Sequence, residues 1–345
     1  MINATERTTL RDLAKHVADI ANLPVMAEKR ALWIKHNRLQ RVRPMILVFP
    51  EGSWRELLPD ATLQCEDNDA RRIEWELRRR LYTHEHFADD TVVERTWTVS
   101  KAISNSGWGL QARWHRSHMA TGARAFDPVI LEPSDLKKMR HPVIAHDEAE
   151  SARRLEQAQD LFGDILDVRL RGIQHISFHF MNLYTGLRGL EQVMLDMTTE
   201  PEMLHEAMAF IEEGYRGMVR QYAEMNLFDL NNDGTYHSSG GVGYTDELPA
   251  PDFTPGRVRP CDMWAAAEAQ EMAPVSPAMH REFVMDYEKR VLAPFGLNGY
   301  GCCEDLTLKM NDVLTIPNIR RVSISPFANV DRCAEQLGAR AIFSW

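Results

Sequence analysis

The sequence has little that would carry it into a membrane, onto a polyanion or around a disulfide scaffold. No stretch approaches the roughly 18 uninterrupted apolar residues of a membrane helix. Basic residues are outnumbered, 40 Lys+Arg against 50 Asp+Glu, for a formal net charge of -10. That argues against nucleic acid as a partner, because phosphate contacts need basic surface. Cysteine is sparse and odd in number: Cys65, Cys261, Cys302, Cys303 and Cys333. Reduced thiols are the expectation. Residues 1–12 are polar and lack the apolar region of a secretion signal, so the cytoplasm is the expected location. There is no internal repeat or low-complexity segment. Also missing are a Gly-rich phosphate loop, a Gly-x-Ser-x-Gly elbow and a His-Glu-x-x-His helix.

What is present suits one large enzyme domain. Hydrophobic residues make up 44% of 345 residues. The 17 methionines read mostly as adaptable core filler. Residues 9–38 show helical spacing, with Leu13, Val17, Ile20 and Ala21 on one side. Residues 45–49, an apolar run between Pro44 and Pro50, predict a strand buried on both faces. A charged helix is expected over 67–82 and a strand within 91–103, followed by a loop over 104–118. From Pro133 onward helices and strands alternate. Helices are expected near 133–139, 147–162, 187–198, 201–225, 262–273, 277–293, 305–315 and 330–337. Strands are expected near 165–170, 175–180, 227–230, 296–301, 319–325 and 340–345. Such alternation indicates a parallel sheet. The fold class predicted is α/β, a TIM-type (β/α)8 barrel lacking closure at its C-terminal strand. It forms a single domain over 1–345, with an N-terminal helical extension to about residue 44. In such barrels the active site lies at the C-terminal strand ends. The Gly- and Pro-rich stretch 234–260 is the candidate mobile loop over that site.

Four groups of residues can carry chemistry. Tyr300-Gly301-Cys302-Cys303-Glu304 places two thiols and a carboxylate at an expected strand end, and zinc favours such ligands. Consecutive side chains on a strand point oppositely, so Cys302 is the first choice of ligand. The alternative is a pair of small buried hydrophobes. Asn231-Asn232-Asp233-Gly234, with His237, suits a ligand site or an Asx turn. Asp262-Met263-Trp264 leads to Glu268, Gln270 and Glu271. There Asp262 can cap a helix, and Glu268 and Glu271 lie one helical turn apart. The histidine pairs His84/His86, His115/His118 and His175/His179 are weak metal candidates by spacing.

The stretches CDMWAAAEAQEMAPVSPAMHREFVMDYEKRVLAPFG (from Cys261), GLNGYGCCEDL (from Gly296) and IPNIRRVSISPFANVDRCAEQLGARAIFSW (from Ile316) resemble the uroporphyrinogen decarboxylase superfamily. The first looks like that family's Asp-x-Trp strand end, followed by a Ser-Pro-led helix and a Tyr-x-Lys-Arg segment. LRGLEQVMLDMTTEPEMLHEAMAFI (from Leu187) also fits, and the likeness covers roughly residues 160–345. The decarboxylases' Arg-Gln-Ala-Gly-Arg string has no counterpart: the matching place reads Phe49-Pro50-Glu51-Gly52-Ser53-Trp54. The family's catalytic aspartate loop is unmatched as well.

The resemblance is closer to the branch of zinc methyltransferases that serve corrinoid (cobalamin-type) proteins. Their His-x-Cys pair falls on Tyr300 and Cys302, so the cysteine is matched and the histidine is not. The resemblance therefore implies zinc on Cys302, with Cys303, Glu304 or His237 completing the set. Zinc would act as a Lewis acid on the heteroatom of a methyl donor or acceptor. A methyl group would pass between a small methylated substrate, or tetrahydrofolate, and a corrinoid protein. Glu268, Asp233 and Tyr300 are the expected catalytic groups. Gln270, Asn231, Trp264 and Ser325 are the expected substrate contacts. A lyase acting on a carboxylated small molecule is the second expectation and would need converging arginines, with Arg113, Arg124 and Arg188 as candidates. A non-catalytic ligand-binding barrel is the third.

Overall fold

A computed structural model describes residues 2–115, 125–237 and 239–345. The chain is a mixed α/β protein with parallel sheets. Where one barrel domain is expected, it folds as two compact units. The first comprises residues 1–102 and 146–172, the second residues 103–145 and 173–345.

In the first unit, α1 (Ala4–Ala21) starts with a capping box. The Asn3 side chain accepts the Glu6 amide, and the Glu6 carboxylate accepts the Asn3 amide, each at 2.9 Å. Leu10, Ala14 and Val17 recur on one face of α1. They are buried with Ala70, Leu77 and Leu81 of α3 (Asn68–His86). The helical run expected over 9–38 breaks at 22–23, because a residue before proline disfavours helix, and it resumes as α2 (Pro24–Asn37). The strand β1 (Thr96–Ser100) pairs in parallel with β2 (Asp167–Arg171), which follows α4 (Glu148–Phe162).

The buried strand expected at 45–49 is not formed. That segment is part of no strand, and Ile46 is 56% and Phe49 50% exposed. Its amides are satisfied by side chains instead. The Ile46 amide donates to Asp90 Oδ2 (2.8 Å) and the Val48 amide to Asp89 Oδ2 (3.0 Å). A segment flanked by two donor-less prolines and held by carboxylates has no need of a strand partner.

The second unit is built on five parallel strands in sequential order: β3 (Ser177–Phe178), β4 (Trp264–Ala267), β5 (Leu297–Tyr300), β6 (Ile319–Ser323) and β7 (Ile342–Ser344). The expected 227–230 strand is reduced to one parallel bridge, Ile173 with Phe228. A helix was expected over 262–273, yet β4 lies there. All four of its residues are buried, and a short wholly apolar run carries no periodicity to separate strand from helix. After β3 come α5 (Phe180–Arg188), α6 (Leu190–Thr199) and α7 (Pro201–Glu224). The helix expected over 187–198 is split at Gly189, whose φ of +92° suits glycine. The helix expected over 305–315 contracts to Met310–Val313. Helical turns over 277–292 end in α8 (Asp286–Leu292), and α9 (Val330–Leu337) precedes β7. The 234–260 stretch carries isolated bridges between Tyr236 and Val242 and between Thr254 and Arg257, and its Val242, Tyr244, Thr245 and Leu248 are buried.

Register sorts the sheet's two faces. Ala266, Gly299 and Arg321 are in register, as are Ala267, Tyr300 and Val322. With a period of two, Trp264, Ala266 and Glu268 share a face with Gly301, Arg321 and Ser323. Tyr300 lies on the opposite face.

Candidate functional site

The polar residues of the second unit separate into groups at the two ends and the two faces of its sheet. At the ends of β3, β4 and β5 stand His179, Glu268 and Cys302. His179 begins α5, and its Nδ1 lies 2.6 Å from Glu268 Oε1. The other oxygen of Glu268 accepts the Gln270 amide at 2.9 Å. The carboxylate is buried, while the imidazole side chain is 44% exposed. In the tautomer with its proton on Nδ1, His179 donates to Glu268 and keeps Nε2 as an acceptor. Beside them, Asn182 donates to Glu271 Oε1 at 3.0 Å, and burial raises the Glu271 carboxyl above its usual range.

Cys302 follows Gly301, whose φ is +98°. A Cβ there would come within 2.8 Å of the Ser323 carbonyl, so glycine is required both by conformation and by close approach. Cys302 Sγ accepts from Ser239 Oγ at 3.1 Å and lies 3.6 Å from Cys303 Sγ. Burial pushes the Cys302 thiol up to about 11, against the Ser239 hydrogen bond. Cys303 is exposed. The cysteines are thus polar neighbours at a strand end, and neither is core filler.

Glu304 is fully buried. Its Oε1 accepts the Ala269 amide (3.2 Å) and its Oε2 the Cys302 amide (2.8 Å). Burial raises its pKa, and the negative charge of Glu268 adds to the shift. The Lys309 ammonium, lowered by burial, donates to the Met272 carbonyl at 2.6 Å.

Other expected site residues lie elsewhere. Tyr300 does not reach the strand-end face. It is buried on the opposite face, with its hydroxyl 3.1 Å from His280 Nε2 and donating to Glu288 Oε2 at 3.0 Å. Burial drives Glu288 well above the carboxyl range and His280 down to about 3. Asn231 ties the starts of two strands together, donating to the Gln174 and Trp264 carbonyls and accepting the Trp264 amide. Asp233 forms an Asx turn with the Thr235 amide (3.0 Å) and lies 3.5 Å from Gln174 Nε2. Both belong to the starting end of β3 and β4, away from Glu268 and Cys302. His237 stacks on Trp264 (5.7 Å) and donates from Nε2 to the Asn231 carbonyl, and burial lowers it to about 3. Trp264 is buried beneath the Arg321 guanidinium (5.0 Å), and its Nε1–H donates to the Gly243 carbonyl. Ser325 Oγ is buried and caps a turn by accepting the Phe327 amide. Gln270 remains at the site through its backbone.

Of the expected zinc ligands, two thiols lie side by side and two other groups are already hydrogen-bonded. Cys302 and Cys303 have the separation of two thiolates on one tetrahedral ion. However, Glu304 is engaged by two amides and His237 by a carbonyl. No group of three His, Cys, Asp or Glu side chains is placed to hold a metal among the described residues. His84 and His86 lie on α3, His115 pairs with Asp127 at 2.8 Å, and His118 falls outside the described residues.

Sequence reading missed the pairing of His179 with Glu268, the burial of Glu288 and His280, and the place of Arg321. No helix is long and apolar enough to cross a membrane among the described residues. The chain matches no family model, no curated protein and no solved structure.

Proposed function

We propose that the second unit is an enzyme that transfers a group, in our reading a methyl group, on a small molecule held against the ends of β3, β4 and β5. The observation that carries this reading is the His179–Glu268 contact of 2.6 Å, next to a strand end bearing two thiols. A carboxylate that fixes an imidazole tautomer makes a positioned general base. Nε2 takes the proton of the attacking thiol, Glu268 holds the resulting imidazolium, and that proton passes to the heteroatom as it leaves. Thiols on the adjacent strand end provide soft nucleophiles for the transferred carbon. The superfamily likeness favours methyl exchange with a corrinoid carried by a partner protein.

The lyase reading is less well supported. Arg188 is buried in an ion pair with Asp196 (2.8 Å), Arg113 lies exposed on a short antiparallel strand, and Arg124 falls outside the described residues. Neither Arg188 nor Arg113 is placed at the ends of β3, β4 and β5.

Methylated amines, thioethers and aryl methyl ethers can be offered to the full chain with free cob(I)alamin as acceptor. Formation of methylcobalamin, followed by its absorbance, is expected for one substrate class, with loss in both His179→Ala and Cys302→Ser. Turnover indifferent to both substitutions, or absent with every class, would sink the reading.

A further inference from the structure

The two adjacent thiols invite a chemistry of their own. Their sulfurs lie 3.6 Å apart, where a bond needs about 2.05 Å. They differ in access: Cys303 is exposed, while Cys302 is half-buried beneath the Ser239 hydroxyl. The loop that carries them begins at Gly301 in the left-handed region, so the chain is already turned back toward Ser239 and β6.

We propose that Cys302 and Cys303 are a reversible redox pair that closes to a disulfide between neighbouring residues on meeting a hydroperoxide. The Cys303 sulfur attacks the peroxide oxygen, the O–O bond breaks, and the alkoxide leaves as an alcohol. Cys303 becomes a sulfenic acid. The Cys302 sulfur then attacks the Cys303 sulfur, the S–O bond breaks, and hydroxide leaves as water with the Cys302 proton. Two thiols lose two electrons, and one hydroperoxide is reduced to alcohol and water.

Consecutive Cα atoms are about 3.8 Å apart across a trans peptide, below the 4.4 Å at which ordinary disulfides begin. The ring is therefore strained and easily reduced, as suits a labile bond more than a structural one. Closure also reaches the neighbouring strand end. The Cys302 amide donates to Glu304 Oε2, and Glu304 Oε1 holds the Ala269 amide, one residue past Glu268. Closing the ring turns the peptide that follows that amide, shifts the backbone on which the Glu304 contact depends, and removes both thiols from reaction. The consequence for turnover rests on the proposed function; the ring chemistry does not.

The test is to treat the full chain with tert-butyl hydroperoxide, alkylate it after denaturation and digest it with trypsin. Both cysteines fall in the single peptide 291–309. The expected product is that peptide, lighter by two hydrogens and unlabelled, which takes two labels after reduction with dithiothreitol. In Cys302→Ser this species is lost, and Cys303 proceeds to sulfinic acid that dithiothreitol does not reverse. Wild-type protein that yields sulfinic Cys303 with Cys302 still labelled overturns the proposal. So does a reversible loss of label that survives Cys302→Ser. Because mass is read without turnover, an inactive chain that closes the ring defeats only the catalytic reading. An active chain that cannot close it defeats only this one.

Discussion

In the first unit the buried carboxylates of Glu74 and Asp90 sit among backbone amides and arginines; in the second, those of Glu271, Glu288 and Glu304 feel other carboxylates nearby. Glu74 accepts the Gln64 and Cys65 amides and pairs with Arg78 at 2.7 Å. Burial pushes its pKa up, but the two amides and Arg78 outweigh it and hold it below the usual range. Asp90 is lowered first by Arg43 and then, against burial, by the Ile46 amide. In the second unit Glu271, Glu288 and Glu304 are all raised by burial, with neighbouring carboxylates adding to each shift. Glu271 Oε2 and Glu288 Oε1 have no hydrogen-bond partner among the described residues. A buried charge costs stability unless it is hydrogen-bonded and paired. The first unit meets that condition and uses carboxylates to pin extended chain. In the second, Glu271 and Glu288 each leave one oxygen outside it, and crowded carboxyl groups with shifted protonation make candidates for functional sites.

The sharpest break between the two kinds is catalytic. Glu268→Gln should lower turnover by about 10²- to 10⁴-fold, the usual worth of an oriented acid or base, with little change in unfolding midpoint. A variant of full activity would make Glu268 a structural residue like Glu74. Conversely, Glu74→Ala should cost about 3 kcal/mol of stability by urea unfolding, leaving the buried Cys65 amide, the Gln64 amide and Arg78 without their acceptor. Turnover per folded molecule should not change. Equal loss of activity in both variants would erase the distinction.

The pH dependence should have opposite signs. Glu74 has a lowered pKa, so its stabilisation is present above the unfolded value near 4.5 and is lost as pH falls through the folded one. Glu288 has a raised pKa, so the folded state holds a proton that the unfolded chain releases above 4.5, and stability falls as pH rises toward the folded value. Glu288→Gln should remove that slope, gaining about 1.4 kcal/mol per pH unit within the window. Unfolding titrations with the wild-type slope in the variant would show that Glu288 is ionised in the folded chain. The smallest effect expected is at the cap of α1. Asn3→Ala should cost about 1 kcal/mol and leave turnover untouched, read as a lower urea midpoint at unchanged kcat.

Much of the scaffold was legible because its signals are local. The apolar faces of α1 and α3, the capping residues around them, the long α7 opened by Pro201, and the strands at 297–300 and 319–323 all follow from spacing a few residues long. So did the placing of Cys302 just past a strand end. The strand misread at 45–49 and the helix misread over β4 share one cause. A short apolar run says that residues are hydrophobic, but not which partner, if any, lies beside them.

By itself, then, the sequence determined a mixed α/β chain, its main helices, and a strand end bearing two thiols and a carboxylate. Only the tertiary structure decided which residues meet there. His179 and Glu268 are 89 positions apart and touch because β3 and β4 are neighbours in the sheet. Tyr300 and Gly301 are adjacent in sequence, yet they face opposite sides of the sheet. Alternation along a strand is local, whereas which face meets the helices and which strand lies alongside is set by the packing of the whole unit.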